Sequence, residues 1–223
     1  MNYDSVPLRD FKELNDWETV IFVYQSALKQ VETKIDILNG EFQHRHKYNP
    51  IEHVKSRIKT PESIVKKLKR HGYESSIENM VRYVNDIAGI RISCSFTSDI
   101  YLIADMISKQ NDLTILARRD YMKNPKKSGY RSYHMLVTTP VFLSDSIIDT
   151  KVEIQIRTVA QDFWATLEHK MHYKFEGDGP DYITKELREC ARYVAELDTR
   201  MEELNNEIQK YGKLSDQKIK KSP

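Results

Sequence analysis

Two carboxylates carry the clearest chemistry in the sequence. Asp86 opens the segment D-I-A-G-I-R, and Glu153 lies in the segment V-E-I-Q-I-R-T. In a polyphosphate site, Mg²⁺ takes only one or two protein carboxylates, and phosphate oxygens and water fill its other positions. The two segments therefore predict a Mg²⁺ site for a polyphosphate, provided that the fold brings Asp86 and Glu153 together.

The segment around Glu153 has the pattern of a strand with one polar face. Glu153, Gln155 and Arg157 alternate with apolar residues, which is the period of a half-buried strand. Two interpretations fit this pattern. The polar face lines a site that recruits charge, or it is an outer sheet face exposed to water.

Basic residues are concentrated in two segments of an almost neutral chain. The whole sequence has 35 Lys and Arg against 33 Asp and Glu, a net charge of +2, which excludes a generally basic nucleic-acid coat. Residues 53–73 contain seven Lys or Arg and only one acid, and residues 118–131 contain six and only one acid. Such clusters favour compact polyanions such as nucleotide phosphates, although ordinary solvated charge is an alternative.

The second basic segment also contains an aromatic side chain. Tyr130 is surrounded by Lys126, Lys127, Gly129 and Arg131, which offer charge and close backbone approach to a phosphate. A tyrosine ring provides a flat face on which a purine can stack. A tyrosine near basic residues is common, so this loop is weak evidence on its own.

Composition describes a globular protein of a reducing compartment. The chain has 223 residues, 39% hydrophobic and 30% charged, and only two cysteines, so it has no disulfide framework. It contains no apolar run long enough to span a membrane and no secretory signal at its start. A cytoplasmic protein without a membrane segment is expected.

Hydrophobic periodicity predicts an α+β fold, in which a mixed α/β layer is flanked by helices. The predicted helices cover residues 16–39, 60–71, 75–84, 98–109, 159–175 and 182–211. The predicted strands cover residues 90–96, 113–117, 133–142 (interrupted by Pro140) and 151–158. We expect an N-terminal helical extension (1–48), a central domain (49–175), a C-terminal helical extension (176–211) and a disordered basic tail (212–223).

Three motifs together resemble a known family. D-I-A-G-I-R, G-Y-R-S-Y-H and V-E-I-Q-I-R-T, followed by F-W-A-T-L-E-H-K, resemble the synthetase domain of the RelA/SpoT homologue superfamily. The resemblance covers residues 49–174 and implies a stand-alone small alarmone synthetase with a nucleotidyltransferase-like mixed sheet. It implies a Mg²⁺-dependent pyrophosphokinase that transfers the β,γ-diphosphate of ATP to the 3′-hydroxyl of GDP or GTP. It also implies a homotetramer.

The resemblance further implies roles for individual residues. Arg57 and Arg91 would sandwich adenine, and Asp86 and Glu153 would hold Mg²⁺, with Glu153 accepting the 3′-hydroxyl proton. The ATP phosphates would be held by Lys59, Lys67, Arg70 and Arg119. The GDP or GTP site would consist of Tyr130 stacked on guanine, Lys126 and Arg131 on phosphates, and His134 and Gln155 lining the pocket. Asp162 replaces an Asn of some relatives and could still accept from guanine N–H groups.

A non-catalytic regulator that binds RNA or nucleotides is the alternative. It would use the same basic segments, but a pure phosphate binder gains nothing from Asp86 and Glu153 in a basic groove. RNA binding is possible and is not indicated by the sequence. Alarmone hydrolysis would need a His-Asp metal motif, and the sequence has no His-Asp pair.

Overall fold

A five-stranded mixed sheet forms the centre of the computed structural model, which describes residues 16–46, 48–174 and 181–219. Six helices accompany the sheet within these ranges. In chain order the elements are α1 (Trp17–His46), β1 (Ile51–Ile58), α2 (Pro61–Arg70), α3 (Ile77–Tyr83), β2 (Ala88–Cys94), α4 (Thr97–Ser108), β3 (Thr114–Asp120), β4 (Tyr133–Phe142), β5 (Ile147–Thr158), α5 (Val159–Lys174) and α6 (Asp181–Ile219). The predicted α+β class with a mixed sheet is confirmed.

The strand order is β1-β2-β5-β4-β3, and only β2 and β5 run parallel. Paired residues of neighbouring strands point to the same face of a sheet. One row of paired residues crosses all five strands and consists of Lys55, Arg91, Gln155, His134 and Arg119. The register therefore collects functional side chains from distant parts of the chain on one face.

The opposite face of the sheet is the hydrophobic core. Ile90, Ile92, Val152, Ile154 and Ile156 are at most 1% exposed. Helices α1 and α4 pack against this face and contact β2 and β5. Because these two helices cover the apolar face, the polar face is left for a ligand.

Thr60 and Ser76 begin the two short helices as the sequence indicates. The Thr60 side chain accepts a hydrogen bond from the backbone N–H of Ser63, and Pro61 occupies the first helical position. Ser76 caps α3 in the same way through the N–H of Asn79. Helix α2 thereby starts directly after β1 and brings Lys67 to the sheet's polar face, where it contacts Asp86.

Two predicted interruptions are wrong. Helix α1 does not end at Gly40 but continues to His46, because an exposed glycine costs a long helix only about 1 kcal/mol. Strand β4 passes through Pro140 without a break. β3 pairs with β4 only as far as Thr138, so Pro140 lies where β4 has one free edge and its missing N–H costs no ladder bond.

Strand β1 is missing from the prediction, and two other elements are longer than expected. Residues 51–58 alternate poorly because a register shift lies between Ile51 and His53, and because Ser56 interrupts the apolar side formed by Val54 and Ile58. β5 begins at Ile147 rather than at residue 151, and α6 continues to Ile219, into the tail predicted to be disordered. That tail has no proline before Pro223, and its one glycine, Gly212, costs the helix only about 1 kcal/mol. Residues 220–223 of the tail and 1–15 of the N-terminal extension lie outside the described residues.

Helix α6 packs against the end of β5 and the loop before β4. Asp198 on α6 accepts hydrogen bonds from Thr158 Oγ1 (2.7 Å) and Gln161 Nε2 (2.8 Å). Trp164 Nε1 donates to the Leu187 carbonyl at 2.9 Å. Gly129 has a φ of +92°, and a Cβ placed on it would lie 2.5 Å from the Cβ of Ala191. The loop that carries Tyr130 is therefore backed directly by α6.

Gly129→Ala should destabilise the protein, whereas Gly40→Ala should stabilise it. Alanine at 129 would adopt a left-handed conformation, at a cost of about 1–2 kcal/mol, and would collide with α6. A Cβ at position 40 meets nothing within 4 Å, and alanine there gains about 0.5–1 kcal/mol of helix propensity. Scanning calorimetry of both variants measures the two shifts in Tm. An unchanged or raised Tm of Gly129→Ala would contradict the described contact between this loop and α6.

Candidate active site

A cleft of about 230 Å³ lies over the polar face of the sheet. Its walls come from β1, β2, β5 and the connection before β2. The lining residues are Lys55, Ser56, Arg57, Asp86, Gly89, Ile90, Arg91, Glu153 and Gln155. A Cβ placed on Gly89 would meet nothing within 4 Å, so the floor of the cleft is open at this point. Both predicted carboxylates therefore face one space with room for a ligand.

Asp86 is held by two lysines. Lys59 Nζ lies 2.9 Å from one carboxylate oxygen and Lys67 Nζ lies 2.8 Å from the other. Lys59 follows β1 and Lys67 lies on α2, so two elements converge on one carboxylate. Burial works to raise the pKa of Asp86, but the hydrogen bonds and charges of Lys67 and Lys59 outweigh it and lower that pKa. Asp86 is therefore ionised at neutral pH.

Glu153 is placed at the centre of β5 by the strand alternation that the sequence predicts. Gln155 Nε2 donates to Glu153 Oε2 at 2.9 Å, and His134 Nδ1 lies 3.6 Å from Glu153 Oε1. Burial and the charge of Asp86 work to raise the pKa of Glu153. The hydrogen bonds and charge supplied by His134 and Gln155 outweigh them, and the pKa is lowered. A second ionised carboxylate thus lines the cleft.

A closed ring of polar contacts joins Glu153 to Tyr130, and we call it the Glu153 ring. From Glu153 the ring passes through Gln155, whose Oε1 accepts from Arg157 at 2.6 Å. Arg157 also donates to the Tyr130 hydroxyl at 3.2 Å, and that hydroxyl lies 2.9 Å from His134 Nε2. The ring closes at His134, whose Nδ1 lies 3.6 Å from Glu153 Oε1. The ring fixes the carboxylate and the tyrosine relative to each other.

Arg157 is the most deeply buried member of the Glu153 ring, with 2% exposure. Burial lowers the pKa of its guanidinium, which still carries its charge because that pKa starts so high. Its charged centre lies 5.3 Å from the centroid of the Tyr130 ring, and Lys126 Nζ lies 4.7 Å from the same centroid. Two cations therefore lie over the aromatic ring predicted to stack on guanine.

Asp162 lies between two arginines. Its Oδ1 is 3.3 Å from Arg91 and 3.6 Å from Arg157, and both distances are longer than a good hydrogen bond. This oxygen is buried and has no hydrogen-bond partner. Arg91, the predicted adenine contact, thus lies next to Asp162, the predicted guanine contact, and the two predicted nucleotide sites adjoin.

Three predicted residues lie away from the main cleft. Arg119 lines a smaller cavity of about 60 Å³ together with His134 and Glu153. Arg131 turns toward α6, and its guanidinium donates to the Met122 carbonyl at 2.7 Å. Arg70 is exposed at the end of α2. The structure therefore brings Arg119 near Glu153 from another side and does not bring Arg131 or Arg70 to the cleft.

Two residues of the site are missing from the sequence prediction. Lys55 pairs with Arg91 across β1 and β2 and lines the cleft beside Arg57. Alternation with Arg57 would have indicated Lys55 if β1 had been recognised. Tyr121 lies edge-on to both Tyr130 and His134, with ring centroids 6.2 and 5.1 Å away. No sequence signal separates Tyr121 from other tyrosines of a basic loop.

The donor set of the cleft suits magnesium better than a metal held by protein ligands alone. Within the described residues, no group of three or more His, Cys, Asp or Glu could hold a metal ion. Asp86 and Glu153 are two ionised oxygen donors, the number that Mg²⁺ uses when phosphates supply the rest.

The helices of the described ranges include none that is long and apolar enough to cross a membrane.

Comparisons with known proteins agree with this geometry. A family model described as a region found in RelA / SpoT proteins matches residues 56–178. GTP pyrophosphokinase YwaC of Bacillus subtilis is 45% identical over 195 residues, which are 87% of this chain and 93% of the relative. GTP pyrophosphokinase YjbM of the same organism is 35% identical over 193 residues, or 86% of this chain and 90% of the relative.

Solved structures give the same assignment. Small alarmone synthetase 2 from B. subtilis matches with a TM-score of 0.78 and 44% identity, covering 86% of this chain and 99% of that one. Small alarmone synthetase 1 from B. subtilis, bound to its product pppGpp, matches with a TM-score of 0.81 and 34% identity over 86% and 98% of the two chains. The resemblance seen in the three motifs is confirmed. The chain belongs to the RelA/SpoT family, among its small alarmone synthetases.

Proposed function

We propose that the protein is a GTP pyrophosphokinase that makes ppGpp or pppGpp, with AMP as the second product. The observation that carries this proposal is the convergence of Asp86 and Glu153 on one cleft with cationic walls. The relatives that match most of the chain are named GTP pyrophosphokinases, and one solved neighbour holds pppGpp. These relatives favour synthesis over a non-catalytic regulator.

ATP is proposed to bind on the β1 and β2 side of the cleft. The planar guanidinium groups of Arg57 and Arg91 are suited to enclose adenine, and both line the cleft. Lys59 and Lys67 now neutralise Asp86 and would turn to the phosphates when a cation takes the carboxylate. The exposed Arg70 and Arg119 would need to swing inward to reach a triphosphate.

Mg²⁺ is the proposed cofactor, held by Asp86 and Glu153. When bound with ATP, it would neutralise phosphate charge and orient the reacting phosphoryl group. The lowered pKa values of both carboxyls support this assignment, because only the ionised forms are good ligands for a hard cation.

The acceptor nucleotide is proposed to bind on the β4 side, over Tyr130. Its guanine would stack on the ring, and its phosphates would meet Lys126, which already lies near that ring. His134 and Gln155 are held by the Glu153 ring at the border between acceptor and carboxylate. Asp162 would accept from guanine N–H groups once Arg91 engages adenine.

The transfer itself needs a base at the acceptor 3′-hydroxyl. The hydroxyl oxygen forms a bond to the β-phosphorus of ATP, and the bond from that phosphorus to the oxygen shared with the α-phosphate breaks. AMP leaves with that oxygen. The hydroxyl proton passes to the Glu153 carboxylate, which is ionised and lies beside the proposed acceptor pocket.

A homotetramer in the cytoplasm is also proposed. The number four and the cytoplasmic location rest on the family resemblance, and association of copies is supported by an exposed apolar stripe on α6 with helical spacing, formed by Tyr193, Leu197, Met201, Leu204, Ile208 and Tyr211. Exposed stripes of this kind mark association surfaces. Light scattering should give four times the chain mass of 26.3 kDa. A monomeric mass would contradict the assembly.

The proposed reaction is tested by incubating the purified protein with ATP, Mg²⁺ and GDP. AMP and ppGpp should form in equal amounts, and omission of either nucleotide should stop both. Anion-exchange chromatography separates the products. Release of ADP and phosphate without ppGpp would contradict the proposal.

Glu153→Gln should retain the fold and lose synthesis. Glutamine keeps the volume and length of the side chain but removes the charge that binds the cation and accepts the proton. The rate should fall by about 10²–10⁴-fold, the usual effect of losing a positioned base. The control is Glu196→Gln on the exposed face of α6, which should keep the full rate. Retention of more than about a tenth of the turnover by folded Glu153→Gln would disprove the mechanism.

Tyr130→Ala should weaken acceptor binding and leave binding of a non-hydrolysable ATP analogue nearly unchanged. The lost stacking is worth about 1–3 kcal/mol. Tyr130→Phe keeps the ring but loses the hydroxyl that contacts Arg157 and His134, so it should retain GDP affinity and lose turnover. Calorimetry measures both affinities. Equal losses for GDP and the ATP analogue would show that the loop is structural.

A further inference from the structure

Lys151 is buried on the site face of β5, two residues before Glu153. Only 2% of it is exposed. Its ammonium donates to Asn85 Oδ1 at 2.7 Å and to the Arg82 carbonyl at 3.2 Å. Both acceptors are neutral oxygens: the Arg82 carbonyl lies in the last turn of α3, and Asn85 lies in the connection from α3 to β2. Lys151 therefore links β5 to the end of α3 and to the connection before β2 through these two hydrogen bonds, which we call the Lys151 tie.

Asp86 lies in the connection between α3 and β2 that Lys151 contacts. Asn85 directly precedes it, and on its other side the Lys59 N–H donates to the Ile87 carbonyl at 2.8 Å. The Arg82 carbonyl belongs to the last turn of α3, where carbonyl groups lack partners within the helix and attract cations. Lys151 and the Lys59 backbone thus fix the chain on the two sides of Asp86.

The Lys151 tie differs from the two ion pairs of Asp86. Lys59 and Lys67 contact the carboxylate oxygens themselves, so a divalent cation must compete with them for the same atoms. Lys151 contacts Asn85 and Arg82 and leaves the Asp86 carboxylate untouched. Its tie can persist when a cation displaces the other two lysines.

We infer that Lys151 is a positioning residue that holds Asp86 within reach of the cation shared with Glu153. The inference rests on the proposed function, because it assumes that both carboxylates hold Mg²⁺. Lys151 sits on the same strand as Glu153 and binds the residue next to Asp86, so one side chain fixes the spacing between the two carboxylates. Residues that orient metal ligands in this way commonly change metal affinity by about 10–100-fold when removed.

The test is the binding of Mn²⁺, used as a paramagnetic probe, in the presence of a non-hydrolysable ATP analogue. Lys151→Met fills the same volume without a charge, and its Mn²⁺ dissociation constant should rise about tenfold or more. Asn85→Ala removes one of the two acceptors of the Lys151 ammonium and should also raise that constant. The double variant should bind Mn²⁺ no more weakly than Lys151→Met alone, since Lys151→Met already removes the contact with Asn85.

Two controls separate this inference from the proposed function and from the mere loss of a lysine charge. Lys29→Met, on the exposed face of α1, should leave Mn²⁺ binding unchanged. The wild-type assay for ppGpp tests the function without reference to Lys151. Mn²⁺ affinities of Lys151→Met and Asn85→Ala within twofold of the wild type would overturn the inference. Additive losses in the double variant would overturn it too.

Discussion

Strands β2 and β5 pair in parallel, with Gly89 opposite Glu153 and Arg91 opposite Gln155. Parallel neighbours require a long crossover, which here contains α4, β3 and β4. The pairing brings the Asp86 connection alongside the middle of β5, although the two lie far apart in sequence. Without this register, Asp86 and Glu153 would not share a cleft. The basic side chains around them would then not face one shared polyphosphate ligand.

The Glu153 ring connects the carboxylate that this register places in the cleft to the side chain of Tyr130. Because Tyr130, His134 and Glu153 are linked through side-chain contacts, the proposed guanine platform and the proposed base cannot move independently. Helix α6 supports the ring from behind, through the Gly129 contact and the Asp198 hydrogen bonds. Burial raises the pKa of Asp198, and its hydrogen bonds with Thr158 and Gln161 offset only part of that rise.

Much of the fold and the identity of the two carboxylates could be predicted from local patterns. Alternation placed Glu153 on the polar face of a strand, and capping residues placed the short helices. The β1 edge strand could not be found in this way, because a register shift after Ile51 and a serine between Val54 and Ile58 break its apolar alternation. Gly40 and Pro140 misled the prediction because an exposed helix and a free strand edge tolerate them.

The contacts within the site were beyond sequence reasoning for a physical reason. The Glu153 ring depends on the pairing of β4 with β5, and Lys151 depends on how α3 ends, and neither is a local property. The resemblance implied that Arg131 contacts the acceptor phosphates, but its guanidinium donates to the Met122 carbonyl, because neighbouring residues of a loop can point in opposite directions.

The central claim is that Asp86 and Glu153 hold one cation between them. A crystal structure with Mn²⁺ and a non-hydrolysable ATP analogue tests it directly, because anomalous scattering locates the metal independently of the protein atoms. The account predicts a single Mn²⁺ peak within about 2.0–2.3 Å of one oxygen from each carboxylate, with the lysines turned to the phosphates. A metal bound by the phosphates alone, with Lys59 and Lys67 still on Asp86, would contradict it.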